Sequence, residues 1–359
     1  PYAVLQFNRP DILYDVPKML FSSYGPLALK WNYIPKMVNW FLYYLKNCNK
    51  KSMLHTAKYM HQILSLSNDA YEEIFQEINV DGLVEKKGII YVWTNKNLKS
   101  RKLEIKVRDD LGVKQKLLTR EEILELEPNL APVFDAGVIY ESAMHARDPH
   151  GILKEIFKLY LKRGGKFIQS DINSIEQKTA DETIIKSAND VYKFEKTVIA
   201  SGAFSKKLTD QLGENIPLDT ERGYHVHFKD KDKLISRPVI FLDRGFGMTP
   251  MNQGLRAVGT VELGGLKNPP SKKRIEYIIN CAKELLPQLG KHDDEWLGFR
   301  PTLPDFLPIL GPSLKNKNII YAFGHQHLGW TLGAVTGKII SGLVAGEKTN
   351  LDLVPYSSK

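Results

Sequence analysis

Residues 318–347 read NIIYAFGHQHLGWTLGAVTGKIISGLVAGE. A β-branched apolar run leads into a glycine-bounded turn with two histidines, then a long apolar segment with glycine at 329, 333, 337, 342 and 346. Glycine inside a helix costs about 1 kcal/mol relative to alanine. The four-residue repeat Gly329, Gly333, Gly337 strips one helix face of side chains, and something must compensate. Two readings do so: close packing on a neighbouring sheet or helix, or packing combined with cofactor contact. The strand–turn–helix order points to a nucleotide-binding α/β domain. Such a helix offers unmet N–H groups and about half a positive charge at its N-terminus, suited to an anionic or electron-rich group.

A second unit of the same grammar is KTVIASGAFSKKL, residues 196–208. Before it, DPHGILKEIFKLYLKRGG begins with Asp148 as N-cap and Pro149 in the first turn. Ile152, Ile156, Phe157, Tyr160 and Leu161 form its apolar face, and Gly164–Gly165 stop it. The runs KFIQ, SIEQ, ETIIKS and VYKFE then read as strands. The spacing of Met60, Ile63, Leu64, Tyr71, Ile74, Phe75 and Ile78 predicts one amphipathic helix over 55–78. Prolines 10, 17, 26 and 35 predict short, broken helices over 1–52. Thr119 and Glu122 form a capping box. GIIYVWTN, AGVIYES, GYHVHF, RPVIFL, GMTPMN and RAVGTVEL read as strands, and RIEYIINCAKELLPQL as a helix. The alternation of α/β and antiparallel β pieces predicts a mixed α/β fold of two interleaved domains.

With 43% hydrophobic and 25% charged residues, the 359-residue chain has the balance of a soluble globular protein. The net charge of +9 comes from scattered lysines. No basic run is interleaved with aromatics, so nucleic-acid binding is not expected. A basic surface suits anionic substrates or membrane headgroups. Cys48 and Cys281 lack a CxxC pattern, which argues against a disulfide scaffold or zinc site and fits a reducing cytoplasm. No run of about 18 apolar residues predicts a membrane span. MVNWFLYYLK, residues 37–46, reads as a buried helix or a membrane-surface contact. The start at Pro1, without Met or signal peptide, reads as a fragment.

GFRPTLPDFLPILG, residues 298–311, sets Arg300 between Phe299 and Pro301. An arginine so fixed can hold a carboxylate bidentately; the alternative is pairing with Asp305. In ERGYHVHF, residues 221–228, Tyr224 and His225 point to opposite faces of a strand, which is otherwise an ordinary half-buried strand. No carboxylate or cysteine accompanies His325 and His327, so no metal is expected. GxSxG, HExxH, Walker A and CxxC are absent.

In order along essentially the whole chain, DPHGILKEI, TVIASGAFSKKL, ERGYH, RAVGTVE, GFRPTLPDFLPILG and GHQHLGWTLGAVTGKIISGLVAG resemble the FAD-dependent D-amino acid oxidase family. The bacterial D-amino acid dehydrogenase type is the most similar. QFNRPDILYDVPKMLFSSYGPLALKW is similar to the loop after that family's first nucleotide-binding unit. The resemblance implies an FAD-binding Rossmann-like domain of glutathione-reductase type (53–84, 143–217, 296–350). It would interleave with an antiparallel-sheet substrate domain (1–52, 85–142, 218–295).

The resemblance further implies that Ser201, Gly202, Ala203 and Phe204 lie along FAD, with Ile172 at the adenine. Gly298, Arg300, Gly324, His325, Gln326, His327, Leu328, Gly329, Trp330 and Thr331 would cradle the flavin. Arg300 would take the substrate carboxylate, and Arg222, Tyr224, His225, His325 and His327 would line the substrate. The implied reaction is hydride transfer from the α-carbon of a D-amino acid to flavin N5, giving a 2-oxo acid and ammonia; no base is assigned. A secondary amine of sarcosine, opine or hydroxyproline type is the alternative substrate. A flavin-less subunit or interaction module is the alternative role. Quinone, oxygen or another flavoprotein would accept the electrons, and the location would be cytoplasmic or peripheral on the inner membrane. The sequence has no GxGxxG, so the first βαβ unit is expected to be absent, or supplied by a partner subunit. Leu303 stands where D-amino acid oxidases proper carry a second arginine, which favours the dehydrogenase type.

Overall fold

The computed structural model describes residues 27–95, 98–179 and 182–358, with Pro10 and Gly25. The first part of the chain runs β1 (Leu27–Leu29), α1 (Ile34–Asn47), α2 (Lys50–Leu64), α3 (Ser67–Phe75), β2 (Val84–Glu85) and β3 (Ile89–Trp93). There follow α4 (Leu98–Asp110), β4 (Lys116–Thr119), α5 (Arg120–Leu126), β5 (Ala136–Tyr140), β6 (His145–Ala146) and α6 (Pro149–Lys162). The middle holds β7 (Ser174–Thr179), β8 (Glu182–Lys186), β9 (Val191–Phe194), β10 (Thr197–Ile199) and α7 (Ser205–Gln211). Next come β11 (Asp219–Lys229), β12 (Val239–Phe241), β13 (Phe246–Met251), β14 (Gly254–Leu263) and α8 (Lys272–Leu285). The last elements are β15 (Asp294–Thr302), β16 (Ile309–Pro312), β17 (Ile319–Phe323) and α9 (Gly329–Ala345).

The largest sheet has nine strands in the order β15-β11-β14-β13-β12-β3-β5-β4, with β1 added in parallel to β14. Strand alternation along β11 decides what each face carries. Tyr224, Val226 and Phe228 join Ile275, Ile278 and Leu285 of α8 in the main core. Glu221, Gly223, His225 and His227 therefore occupy the opposite face.

The smaller sheet β10-β17-β16 is built on the two strand–turn–helix units. β10 and β17 are parallel, with Thr197 opposite Ile319 and Ile199 opposite Tyr321. Ile199, Ile309, Ile319, Tyr321 and Phe323 fill its core. On α9, Leu332, Val335 and Ile339 pack with Met60 and Ile63 of α2 and Tyr71 of α3. With the turn before it, α9 is long and apolar enough to cross a membrane by composition. Those packed side chains make it a core helix, although the sequence reading saw no such run.

Several local expectations change. The helix read over 55–78 is two helices, broken at Ser65–Leu66; Ser65 Oγ donates to the Gln62 carbonyl at 2.9 Å, a local bond that competes with the helix ladder. Pro35 starts α1 in its first turn and breaks nothing. KFIQ forms no strand: Phe167 and Ile168 are exposed, and pairing begins at Ser174. Helix α4 had no sequence assignment, because its residues are mostly charged and mask the 3.6-residue period. The helices read over 1–24 lie outside the described residues. Both caps hold, with Thr119 and Glu122 in a reciprocal box and Asp148 accepting from Gly151 N.

The bare face of α9 packs closely at its middle glycine only: a Cβ added at Gly333 would stand 3.3 Å from Tyr71 Oη, whereas at Gly337 it would meet no atom within 4 Å and at Gly329 only His325 Cβ at 3.9 Å. The face borders a recess of about 620 Å³ between α9, α3 and α6. The buried side of α9 is the Leu332, Val335, Ile339 side, so tertiary packing turned the glycines outward.

Candidate active site

Because β10 and β17 run parallel, the turns that follow them emerge at the same end of the sheet, where α/β folds place their ligands. The first turn is Gly202–Phe204, with Gly202 in the left-handed region at φ 55°. The second is Gly324 at φ 88°, then Gln326–Leu328. Gln326 is left-handed at φ 52° without being glycine. It is buried, and its Nε2 donates to the carbonyl of Phe306 at 2.8 Å; Phe306 is itself at φ 66°. Backbone strain of this kind persists only where surroundings over-determine it, and it clusters at functional sites. No side chain caps the first turn of α9, which continues directly from the turn Gln326–Leu328.

Strand β15 packs against both turns. Phe299 meets Phe204 edge-on, with centroids 6.3 Å apart and planes at 77°. Arg300 follows on the opposite strand face. Its Nη1 donates to the Thr260 carbonyl at 2.9 Å, and the guanidinium lies across Gly223. Thr260 is held at φ 63°, an unfavourable conformation for a β-branched residue. Glu221 stands opposite Arg300 in the β11–β15 register. Burial raises the Glu221 pKa against the opposing effect of Arg300, and burial lowers that of Arg300 against Glu221. Among the described residues the pair lies beyond salt-bridge distance, and only Nη1 of the guanidinium has a hydrogen bond.

His327 lies in the second turn, with its side chain exposed. Desolvation, and then the Arg300 charge, push its pKa down to about 4. His325 turns inward, pairing Nε2 with Thr336 Oγ1 at 2.9 Å, and desolvation lowers it to about 4. Both are neutral at pH 7. Trp330 and Thr331 begin α9, and Tyr71 OH donates to the Trp330 carbonyl.

The structure thus brings together Ser201, Gly202, Ala203, Phe204, Gly298, Arg300 and residues 324–331. It separates Arg222 and Tyr224 from them. Both lie on the α8-covered face of the sheet, and Arg222 is fully buried. Tyr224 OH donates to Glu262 Oε2 at 2.6 Å, and Arg222 Nε lies 3.3 Å from the same carboxylate. His225 is on the Arg300 face, stacked on Trp296 at 4.9 Å. Ile172 is part-exposed beside Asn173, whose carbonyl accepts from Gln211 Nε2 at 3.1 Å. Asp305, the alternative partner of Arg300, accepts from Leu307 N at 3.2 Å. Gly223, Glu221 and Thr260 escaped the sequence reading. A glycine inside a strand marks close approach of another group, and that signal was present at Gly223.

The family model for FAD-dependent oxidoreductases (DAO) matches residues 29–343. The chain belongs to that family. A D-amino-acid oxidase of Bradyrhizobium diazoefficiens is 29% identical, covering 99% of this chain and 86% of that one. A D-amino acid dehydrogenase of Vibrio atlanticus is 27% identical over 95% of this chain and 84% of its own length. Among solved structures, glycine oxidase from Geobacillus kaustophilus is similar in fold, with a TM-score of 0.75, 21% identity, and coverage of 84% and 82% of the two chains.

The cofactor of the family is FAD, and the residues fit its flavin end. The paired turns, the uncapped N-terminus of α9 and the open space at Gly202, where an added Cβ would meet nothing within 4 Å, form a cradle rich in backbone N–H groups. When bound there, FAD supplies a two-electron acceptor. The first turn of α9 would hold the electron-rich pyrimidine edge, and residues 201–204 would border the ring.

Proposed function

We propose that this member of the family oxidises a D-amino acid to its imino acid, which water converts to the 2-oxo acid and ammonia. The observation that carries the reading is Arg300: a half-buried guanidinium that lies across Gly223 and is fixed by the Thr260 carbonyl. Two N–H groups of this fork match a carboxylate. Binding the carboxylate there orients the α-carbon toward the flavin cradle. Thr260 and Gly223 hold the fork flat. His327 and His325, with pKa values about 4, are poorly matched to taking the proton of a substrate ammonium. His327 acts as a neutral hydrogen-bond partner, and the ammonium proton leaves to solvent.

The division into an FAD-binding part (53–84, 143–217, 296–350) and a substrate part (1–52, 85–142, 218–295) belongs to the same proposal. So do transfer of electrons to a quinone, oxygen or a flavoprotein, and a cytoplasmic location.

The test is anaerobic reduction of the FAD-loaded protein by a panel of D-amino acids, L-amino acids, glycine and sarcosine, followed near 450 nm. Bleaching by D-amino acids supports the proposal. Bleaching by sarcosine alone would move the substrate to secondary amines, and flavin binding with no reduction by any amine would refute it.

A further inference from the structure

The face of the large sheet that carries Arg300 holds a second arginine, which neither the flavin cradle nor the carboxylate fork uses. Leu255 and Ala257 of β14 lie in the main core with α8, so Arg256 between them points to the opposite face. That is the face of Gly223, His225 and His227. The register agrees: Arg256 is paired with His227, and Val258 with His225, and directly paired residues of antiparallel strands project to the same side. Arg300 comes to this face from β15, lies across Gly223 and meets the Thr260 carbonyl at 2.9 Å. Thr260 and Arg256 are four residues apart on β14, about 14 Å at the rise of an extended strand, and less across the irregularity in the β11–β14 register. The strip formed by Gly223, His225 and Val258 therefore has an arginine at each end.

Arg256 lacks a counter-charge. It is half-buried, and its Nε is sealed from solvent without a hydrogen bond. Among the described residues no carboxylate lies within salt-bridge distance of it. Asp148, whose charge opposes the effect of burial on Arg256, is spent on capping α6, where it accepts from Gly151 N at 2.9 Å. Asp294, opposite His227 on β15, pairs with Lys229 at 3.3 Å. Burial lowers the Arg256 pKa, the sense expected of a cation taken from water, and a guanidinium so placed is costly until an anion meets it. Desolvation, then the Arg256 charge, push the His225 pKa down to about 4, and the same two causes lower His227. Both imidazoles are neutral at pH 7 and each still offers an N–H donor. A guanidinium without a partner, beside two neutral donors, suits a carboxylate.

We propose that Arg256, with His225 and His227, forms a second anion subsite, and that the amino acid oxidised here carries a carboxylate at the end of its side chain. The α-carboxylate would occupy the Arg300 fork, and the side-chain carboxylate would lie over the strip and meet Arg256. This names the substrate class of the reaction proposed above and rests on that reading for it. The subsite itself is read from the sheet alone.

The experiment is isothermal titration calorimetry of the FAD-loaded protein with glutarate and with pentanoate, non-reacting acids of equal carbon number that differ by a carboxylate. Glutarate should bind about tenfold to a hundredfold more tightly, the range of a hydrogen bond to a charged group. Arg256→Met should bring the two acids to equal affinity. Thermal melting monitors the fold, and Arg256→Gln serves if the methionine variant unfolds. In the same preparations, anaerobic flavin reduction by low concentrations of D-glutamate should outpace reduction by D-glutamine by a similar factor, and the substitution should remove that preference. Equal binding of the two acids by the unaltered protein, or a glutarate preference that survives in the folded variants, would overturn the subsite. Reduction by D-glutamine as fast as by D-glutamate would overturn the substrate class. A glutarate preference that Arg256→Met removes, in a protein that no D-amino acid reduces, would uphold the subsite and refute the proposed reaction instead.

Discussion

Arg300 lies against the bare backbone of Gly223, so closely that any side chain at 223 would stand less than 3.0 Å from its Nε, Cζ and Nη2. The two residues come from neighbouring strands, β11 and β15. The missing Cβ lets the guanidinium lie flat and keep Nη1 on the Thr260 carbonyl. Gly223→Ala should tilt the fork out of this plane. We expect kcat/KM to fall between about tenfold and a hundredfold, the value of charged hydrogen bonds of about 1.5–3 kcal/mol, mostly through KM. Steady-state kinetics with the best amino acid substrate check it; an unchanged KM would show that the flat geometry is not needed.

Arg300→Lys keeps the charge but not the fork. Substrate KM should rise strongly, and Arg300→Ala should raise it further, by about 2–5 kcal/mol of lost binding if the carboxylate is left buried and unpaired. Competitive inhibition by simple carboxylates should weaken in parallel. Inhibition that stays intact in Arg300→Ala would place the carboxylate elsewhere.

Glu262 is buried, accepts from Tyr224, and pairs with Arg222 at 3.3 Å and with Lys30 at 3.5 Å. Glu262→Ala strands the Arg222 guanidinium in the core. Denaturant unfolding should show a loss of about 3–5 kcal/mol, with turnover per folded molecule preserved. A selective loss of turnover would return Tyr224 and Arg222 to the substrate side.

His145, His225, His325 and His327 all have pKa values pushed down from 6.5 to about 4, with burial the largest cause in each. In the unfolded chain they take protons as pH falls below 6.5, whereas the folded chain resists until about 4. The unfolded state therefore binds more protons in that window, and stability falls as pH is lowered through it. Glu221 and Asp219, raised by burial, act in the opposite sense. Melting temperature should drop from pH 6.5 toward 4, and His325→Gln should flatten part of the drop. A profile unaltered by that substitution would contradict the assignment.

Gly337 and Gly324 should answer alanine in opposite ways. At Gly337 there is open space and helical backbone, so alanine should stabilise this chain by up to about 1 kcal/mol. At Gly324, φ is 88° and an added Cβ would stand 2.6 Å from Leu303 Cδ1, so alanine should destabilise it and loosen the turn. Calorimetric melting of the two variants decides; equal effects would mean that the two backbones are not as described.

The two strand–turn–helix units and the helix caps at Thr119 and Asp148 were legible in the sequence. Each depends on residues close in the chain: β-branched runs, Thr and Asp caps, and glycine turns. The same period-2 rule separates Tyr224 from His225, yet it could not say which face meets the site. That was decided by α8, whose apolar side covers the Arg222–Tyr224 face and leaves Glu221, Gly223 and His225 opposite it. Likewise, the glycine repeat of α9 announced a bare face without saying where it points. Packing of Leu332, Val335 and Ile339 against α2 and α3 turned it toward an open recess. The sequence by itself determined the helix caps, the two strand–turn–helix units and the family. Only the tertiary structure decided which strand face becomes the site and which helix face stays open, because burial is set by contacts among residues far apart in the chain.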